Sequence, residues 1–168
     1  MRTFSMLVKP IALAAMLCAG QASAAFYLGD TTGGDTFNRP VEDLSALSGV
    51  GTNVAYESFS FSVDTAGSYS FRSFALPLAN TWDNFLILYT GAFNPASALT
   101  NATIANDDFN SNIGRSGFDL SLSTGVAYTL VTTSFYNDDS GKYLNLIRGP
   151  GDVTAPVPEP ETYLMLLA

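Results

Sequence analysis

Apolar residues recur at every second position through short stretches of this chain. In "YESFSFSV" the alternate positions Phe59, Phe61 and Val63 are apolar and serines lie between them, and "GFDLSLS" repeats the pattern. A strand points successive side chains to opposite faces, so a period of two is typical of strands with one buried face. No stretch sustains a helical apolar period over three turns. The alternation therefore predicts an all-β chain.

Six stretches carry this strand pattern, separated by turn-forming Asn, Asp, Gly and Pro. They are "YESFSFSV", "GSYSFRSFAL", "DNFLILYTG", "GFDLSLS", "VAYTLVTTSFY" and "KYLNLIRG". The nearly unbroken apolar run from Phe85 to Tyr89 predicts a central strand covered on both faces. Phe74 falls out of phase with Tyr69 and Phe71, which predicts a β-bulge. We predict an antiparallel β-sandwich of the jelly-roll kind, a single domain over residues 25–153.

The first 24 residues have the pattern of a secretory signal peptide. Arg2 and Lys9 are basic, Ile11 to Ala19 form an apolar run, and Ala22-Ser23-Ala24 offers the small-x-small pattern that signal peptidase cleaves. We predict cleavage after Ala24 and export across the inner membrane. A membrane anchor is the weaker interpretation, because the apolar run is shorter than the roughly 20 residues that span a bilayer. A lipoprotein site at Cys18 is disfavoured because Leu17 precedes it.

Export leaves few residue types that support catalysis. The sole cysteine lies in the predicted signal and the chain has no histidine, so disulfides, thiolate chemistry and a Ser-His-Asp triad are excluded. Fifteen acids then face five bases, a net charge near −10, which argues against nucleic acid as a partner. Paired carboxylates leave a glycan hydrolase as a formal option. We predict that the protein is not an enzyme.

The stretch "NDDFNSNIGRSGF" is the strongest local signal for a ligand. It places several carboxylate and amide oxygens in one turn, and Ca²⁺ prefers six to eight such hard oxygens. The stretch is therefore a candidate calcium site, with Asp83 as the helper from just before the central strand; its candidate ligands are Asp83, Asn106, Asp107, Asp108 and Asn110. The alternative is a turn whose Asn and Asp side chains cap their own backbone. The acidic turn at residues 137–141 is predicted to be a hairpin turn.

Two features of the central region resemble a known family. "WDNFLILYTG" followed by "TIANDDFNSNIGRSGFDLSLSTGVAYTLVTTSF" is similar to the bacterial pre-peptidase C-terminal domain over about residues 54–148. The matching residues are Asp83, Leu86, Leu88, Tyr89, Asn106, Asp107, Asp108, Gly125, Tyr128, Leu130 and Val131. The resemblance implies a jelly-roll accessory module without catalytic function, with calcium sites in some members. No peptidase domain accompanies it here.

The chain ends in "VPEPETYLMLLA". Pro158, Glu159 and Pro160 follow a Pro-containing linker and precede an apolar run, an arrangement that resembles the PEP-CTERM sorting signal of exported bacterial proteins. That resemblance implies processing by a membrane enzyme of the exosortase type and transient membrane anchoring. The prolines keep the joint extended. Tyr163 to Ala168 reach only about 9 Å as a helix, so we interpret residues 154–168 as a linker and a truncated signal; a decayed signal and an ordinary Pro-rich terminus are the alternatives.

These features predict a non-enzymatic exported protein of the cell surface or extracellular matrix. Its expected partners are signal peptidase, an exosortase-type enzyme, and exopolysaccharide or other matrix material. The alternative function is a calcium-assisted module that binds carbohydrate or protein. Trp82, the only tryptophan, lies at the predicted calcium end and offers either a stacking face or core packing.

Overall fold

The computed structural model describes residues 23–77 and 82–155. Eleven strands lie in these ranges: β1 Ser23–Asp30, β2 Thr36–Phe37, β3 Val54–Ala55, β4 Glu57–Val63, β5 Gly67–Leu76, β6 Asn84–Thr90, β7 Ala102–Asn106, β8 Arg115–Leu122, β9 Tyr128–Ser134, β10 Lys142–Gly149 and β11 Val153–Thr154. Two single-turn 3-10 helices, Pro95–Ser97 and Phe109–Ser111, flank β7. All six predicted strands are present.

The strands form two packed antiparallel sheets. Sheet I has the order β1-β10-β5-β8, sheet II has the order β11-β4-β9-β6-β7, and β2 pairs with β3 in a separate ribbon. Strands close in sequence, such as β4 and β5, lie in different sheets, and strands distant in sequence, such as β1 and β10, are hydrogen-bonded neighbours. Apart from the short β11 at the edge of sheet II, the eight strands of the two sheets have the jelly-roll arrangement. The predicted all-β, antiparallel, jelly-roll-like sandwich is confirmed.

The alternating apolar residues meet between the two sheets. The fully buried part of this core comes from β4, β5, β6, β8, β9 and β10; its members are Phe61, Val63, Tyr69, Phe71, Leu86, Leu88, Phe118, Leu122, Tyr128, Leu130 and Ile147. Burial of such side chains is the main stabilising term of a domain without disulfides. The aromatic residues pack against one another, for example Phe71 with Phe118 at 5.3 Å between ring centroids.

The β-bulge predicted at Phe74 is wrong. β5 keeps an unbroken register with both β10 and β8 through this position. Ser73 occupies the core-facing position where an apolar residue was expected. It is accommodated there because its hydroxyl accepts a hydrogen bond of 2.8 Å from the side-chain amide of Asn84. Phe74 therefore points to the outer face of sheet I. The register shift in the described residues lies between Leu88 and Tyr89, where β6 pairs with β7.

Sheet II is covered on its outer side as well. Residues 31–56, which we call the cover segment, carry β2 and β3 and pack against this side. Phe37 and Val54 of the cover segment form a second buried cluster with Phe85, Ile87 and Tyr89 of β6. Every residue of β9 and all of β6 except Thr90 are buried as a result. The prediction that β6 is covered on both faces is confirmed.

The two ends of the described chain lie together. β1 begins at Ser23, whose hydroxyl donates a hydrogen bond of 2.6 Å to Asp152 next to β11. The predicted cleavage point after Ala24 thus falls within β1, while Ala22 and the motif Pro158-Glu159-Pro160 lie outside the described residues. In residues 23–77 and 82–155, no helix has the length and apolar character needed to cross a bilayer.

Candidate metal centre

Three carboxylates converge at one end of sheet II. Asp83 directly precedes β6, and Asp107 and Asp108 directly follow β7. The antiparallel register, which pairs Leu86 with Asn106, places the beginning of β6 beside the end of β7. As a result, one oxygen from each carboxylate lies within 4.8 Å of the others. We call Asp83, Asp107 and Asp108 the acidic cluster.

Each member of the acidic cluster has an oxygen that is buried without a protein partner. The Oδ1 atoms of Asp83, Asp107 and Asp108 are inaccessible and accept no hydrogen bond from the described residues. Buried polar atoms are nearly always paired, because a buried oxygen that loses its water costs roughly 1–3 kcal/mol. Three such oxygens in one place form the kind of hard, anionic surface that Ca²⁺ takes as ligands.

The electrostatics of the acidic cluster reflect this crowding. Burial raises the pKa of Asp107 to about 7, and the neighbouring Asp83 and Asp108 carboxylates add to the increase while Arg39 opposes it. Burial also raises the pKa of Asp83, with further increases from Asp108 and Asp139. The ionised forms are therefore costly in the absence of a compensating cation.

Arg39 of the cover segment is the nearest base to the acidic cluster. Its side chain is only 2% exposed, and its guanidinium donates to the carbonyl of Phe135 at 2.9 and 3.2 Å and to that of Pro40 at 2.8 Å. The guanidinium also lies over the rings of Phe85 and Phe135, 4.2 and 4.5 Å from their centroids. Its positive charge acts to lower the pKa of Asp107 and of Asp83. Within the described residues, its guanidinium forms no salt bridge with either carboxylate.

The two asparagines predicted as ligands have different positions. Asn106 is the last residue of β7; its Oδ1 accepts a hydrogen bond from the Gly117 amide and its Nδ2 donates to Glu42, each at 2.8 Å. Asn106 thus ties the acidic loop to β8 and to the cover segment. Asn110 is exposed in the 3-10 turn at φ 56°, where its carbonyl accepts from Asn112. The three aspartates come together, and the asparagines brace the loop that carries two of them.

Two residues near the acidic cluster were not identified from the sequence. Asp139 accepts a 2.8 Å hydrogen bond from the backbone amide of Asp83, so the acidic turn after β9 lies beside the cluster. The hairpin turn predicted for residues 137–141 is wrong, because β9 and β10, which this turn connects, lie in different sheets. No sequence pattern indicated Arg39, because its position near the acidic cluster depends on the path of the cover segment. Trp82 is 4% exposed and donates to the Lys142 carbonyl at 3.0 Å, so it is a packing residue.

Comparison with known proteins adds little to this geometry. No family model matches the chain, and no curated protein matches it. Among solved structures, the K1 cleaved adhesin domain of Lys-gingipain from Porphyromonas gingivalis W83 is similar, at 16% identity and a TM-score of 0.36 over 82% of this chain and 100% of that chain. The jelly-roll assignment depends on the strand order of this chain alone. The resemblances to the pre-peptidase C-terminal domain and to PEP-CTERM signals stay predictions.

Proposed function

We propose that this protein is a non-enzymatic, exported surface module whose acidic cluster binds one Ca²⁺. The observation that carries the proposal is the convergence of three carboxylates: one oxygen of each lies within 4.8 Å of the others, and the Oδ1 of each is buried without a hydrogen-bond partner. A bound divalent cation would neutralise the cluster and join the beginning of β6 to the loop between β7 and β8. Water or Asn110 would complete the six to eight oxygens that Ca²⁺ takes.

The acidic cluster suits cation binding better than glycoside hydrolysis. The carboxylate pairs of retaining and inverting glycosidases are separated by about 5–5.5 Å and about 6.5–9.5 Å, leaving room for sugar or water between them. The cluster instead brings three carboxylates together, with one oxygen of each within 4.8 Å of the others. The chain also lacks the histidine and, after the predicted signal cleavage, the cysteine that most other hydrolytic sites use.

Thermal unfolding of the full chain with Ca²⁺ and with EDTA tests the calcium site. At about 100 times Kd, one bound ion adds about 2.7 kcal/mol to the free energy of unfolding, a rise of about 8 °C in Tm. Asp107→Asn and Asp108→Asn should each remove most of this shift. The matched control is Asp35→Asn, which removes one exposed acid elsewhere in the cover segment and should keep the full shift. A Tm that is unchanged at millimolar Ca²⁺ contradicts the site.

The sorting part of the proposal concerns the C-terminal motif. An exosortase substrate requires an apolar membrane segment and a basic cluster after Pro158-Glu159-Pro160. Sequencing the gene beyond codon 168 should therefore reveal about 14 further apolar codons, which with residues 163–168 make the roughly 20 that span a bilayer, followed by arginines. A stop codon directly after Ala168 contradicts this part and leaves the calcium site untouched.

The second candidate function is binding of carbohydrate or protein at the same end of the molecule. Tyr136 favours it: this side chain is 53% exposed and follows Phe135, whose amide donates to the Asp83 carbonyl. An exposed tyrosine presents an apolar ring with a polar hydroxyl, and both could contact a sugar or a protein partner. A glycan array probed with and without Ca²⁺ should give signals that Tyr136→Ala removes, and a blank array excludes carbohydrate.

A further inference from the structure

The outer face of sheet I has a regular composition that the proposed function does not use. Residues paired directly across the sheet share a face, so the register defines two rows on it. One row is Leu28, Leu144, Phe74 and Arg115, and the next is Phe26, Leu146, Arg72 and Gly117. The first three positions of the first row and the first two of the second are apolar. We call these five apolar residues and the charged residues around them the sheet I face.

The apolar part of the sheet I face is unusually open to solvent. Phe26 is 72% exposed and Leu28 is 69% exposed, the two highest values among the large apolar residues of the described chain. Leu144, Leu146 and Phe74 beside them are half-buried. The corresponding side of sheet II is covered by the cover segment, so the two outer faces of the sandwich differ completely. A contiguous exposed apolar group of this kind marks an interaction surface.

The bases of this acidic protein are concentrated on the same face. Three exposed bases lie at positions of sheet I whose side chains point outward: Arg115, Lys142 and Arg148. Arg72 lies there too, in a 2.9 Å ion pair with Asp119, and Asp30 is paired opposite Lys142. With four bases and two acids the face has a formal charge of +2. The other described residues hold one base, the buried Arg39, and eleven acids, a charge of −10.

The ends of the described chain border this face. Ser23, at the first position of β1, is hydrogen-bonded to Asp152, and Ala24 pairs with Arg148 in the outward phase. The sequence beyond each end is apolar in part, at residues 11–19 and at residues 163–168.

We propose that the sheet I face docks on an anionic lipid bilayer. Phe26 and Leu28 would enter the boundary between headgroups and acyl chains, and the surrounding bases would contact anionic headgroups. The acids elsewhere would hold the opposite side of the molecule away from the membrane. A second copy of the chain is a poor occupant, because apposed faces would bring like charges together. An acidic polysaccharide would match the bases but would leave Phe26 and Leu28 without an apolar partner.

Co-sedimentation of the full chain with vesicles tests this docking. Vesicles of phosphatidylglycerol and phosphatidylcholine at 3:7 should bind more protein than phosphatidylcholine alone, and added salt should weaken the binding. The double variant Phe26→Ser/Leu28→Ser should lower the partition coefficient about tenfold. Lys142→Glu/Arg148→Glu should lower it at least as much, because each base near an anionic surface contributes about fivefold. Because every variant keeps both chain ends, differences in vesicle binding between the variants arise from the sheet I face.

The matched control replaces two exposed apolar residues on the other side of the molecule. Val50→Ser/Leu99→Ser should bind as the unchanged chain does, since both lie on the sheet II side. Fluorescence gives a second readout: Phe26→Trp should be quenched by brominated acyl chains, and Val50→Trp should not. Equal binding by face and control variants overturns the proposal. So does binding to soluble alginate with no preference for anionic over neutral vesicles.

Discussion

Sheets I and II share one core, yet their outer faces differ in burial and in charge. The outer side of sheet II is buried under the cover segment, and β6 and β9 are apolar or hydroxylated at every position except Asn84. The outer side of sheet I leaves Phe26 and Leu28 in solvent beside the exposed bases. The comparison teaches that a strand's own sequence does not decide whether its second face is covered. A separate segment, folded back on the sheet, decides it.

A buried charge fixes the cover segment to sheet II. Arg39 lies between the rings of Phe85 and Phe135 and donates to the Phe135 carbonyl. A guanidinium suits this place, because it is planar, stacks on aromatic faces and is weakly hydrated compared with an ammonium group. The same charge lies near the acidic cluster and partly offsets it. The covering of sheet II and the candidate metal centre thus depend on one side chain.

Removing Arg39 should have the largest effect. Arg39→Ala leaves a cavity over Phe85, leaves the Phe135 carbonyl without its donor and removes the cation nearest Asp107. We expect the free energy of unfolding to fall by about 3–5 kcal/mol, measured by urea denaturation.

The matched control for this change is Arg148→Ala on the sheet I face. Arg148 is exposed, so its loss should change the free energy of unfolding by less than about 0.5 kcal/mol. Arg39→Met separates volume from charge, because it restores apolar contact without donors. If Arg39→Ala and Arg148→Ala have equal effects, the cover segment is not held in the way described.

Truncation of one apolar side chain on each outer face should give the next largest contrast. Ile87, on the covered face of sheet II, is fully buried, whereas Leu28 is 69% exposed. Ile87→Ala should cost about 3 kcal/mol through lost burial and the cavity left behind. Leu28→Ala should cost less than about 0.5 kcal/mol. Chemical denaturation of both variants measures the difference, and equal losses would mean that the sheet I face is covered in solution.

The last contrast concerns pH in the absence of metal. The pKa of Asp107 in the folded chain is about 7, above its ordinary value of 3.8, so the folded state holds this proton more tightly than the unfolded state. The contribution of this group to the free energy of unfolding is fully present below about pH 4 and is lost as the pH rises towards 7. The raised pKa of Asp83 acts in the same direction. Thermal melts in EDTA should show Tm falling across this window.

Asp107→Asn is the control for the pH effect, because it removes the titrating group and keeps the shape. Its Tm should vary less between pH 4 and 7 than that of the unchanged chain, and it should exceed the unchanged chain at pH 7.5. A Tm that instead rises from pH 4 to 7 in the unchanged chain would show that the Asp107 carboxylate is already compensated without metal.

The fold was predictable because its signals are local. Alternation along β4 and β8, and the turn residues between strands, follow from one strand's geometry and need no knowledge of its neighbours. β1 was not predicted, because Ala24 and Ala25 merge into the leader pattern and Asp30 ends a short run. Phe74 was misassigned because its apolar character masked Ser73, whose burial depends on a hydrogen bond to Asn84 on another sheet.

The candidate site was predictable in part for the same reason. Asp107 and Asp108 stand out in one loop, and Asp83 was added because it precedes the adjacent buried strand. The pairing of β6 with β7, which brings Asp83 to this loop, could not be derived from the sequence. The positions of Arg39 and Asp139 depend on contacts between residues more than 50 positions apart. Asn106 was expected to offer its oxygen to a cation, but Gly117 of β8 takes that oxygen.

The sequence by itself determined the strand content, the absence of cysteine after position 18, the acidic balance and the loop rich in carboxylates, since each follows from residue type and short-range spacing. Only the tertiary structure decided which face of each sheet is covered, how three carboxylates come within 4.8 Å of one another, and why the exposed bases share one face with Phe26 and Leu28. The physical reason is that a jelly roll pairs strands that are distant along the chain. Side chains therefore become neighbours through hydrogen-bond register between those strands, which no local pattern records.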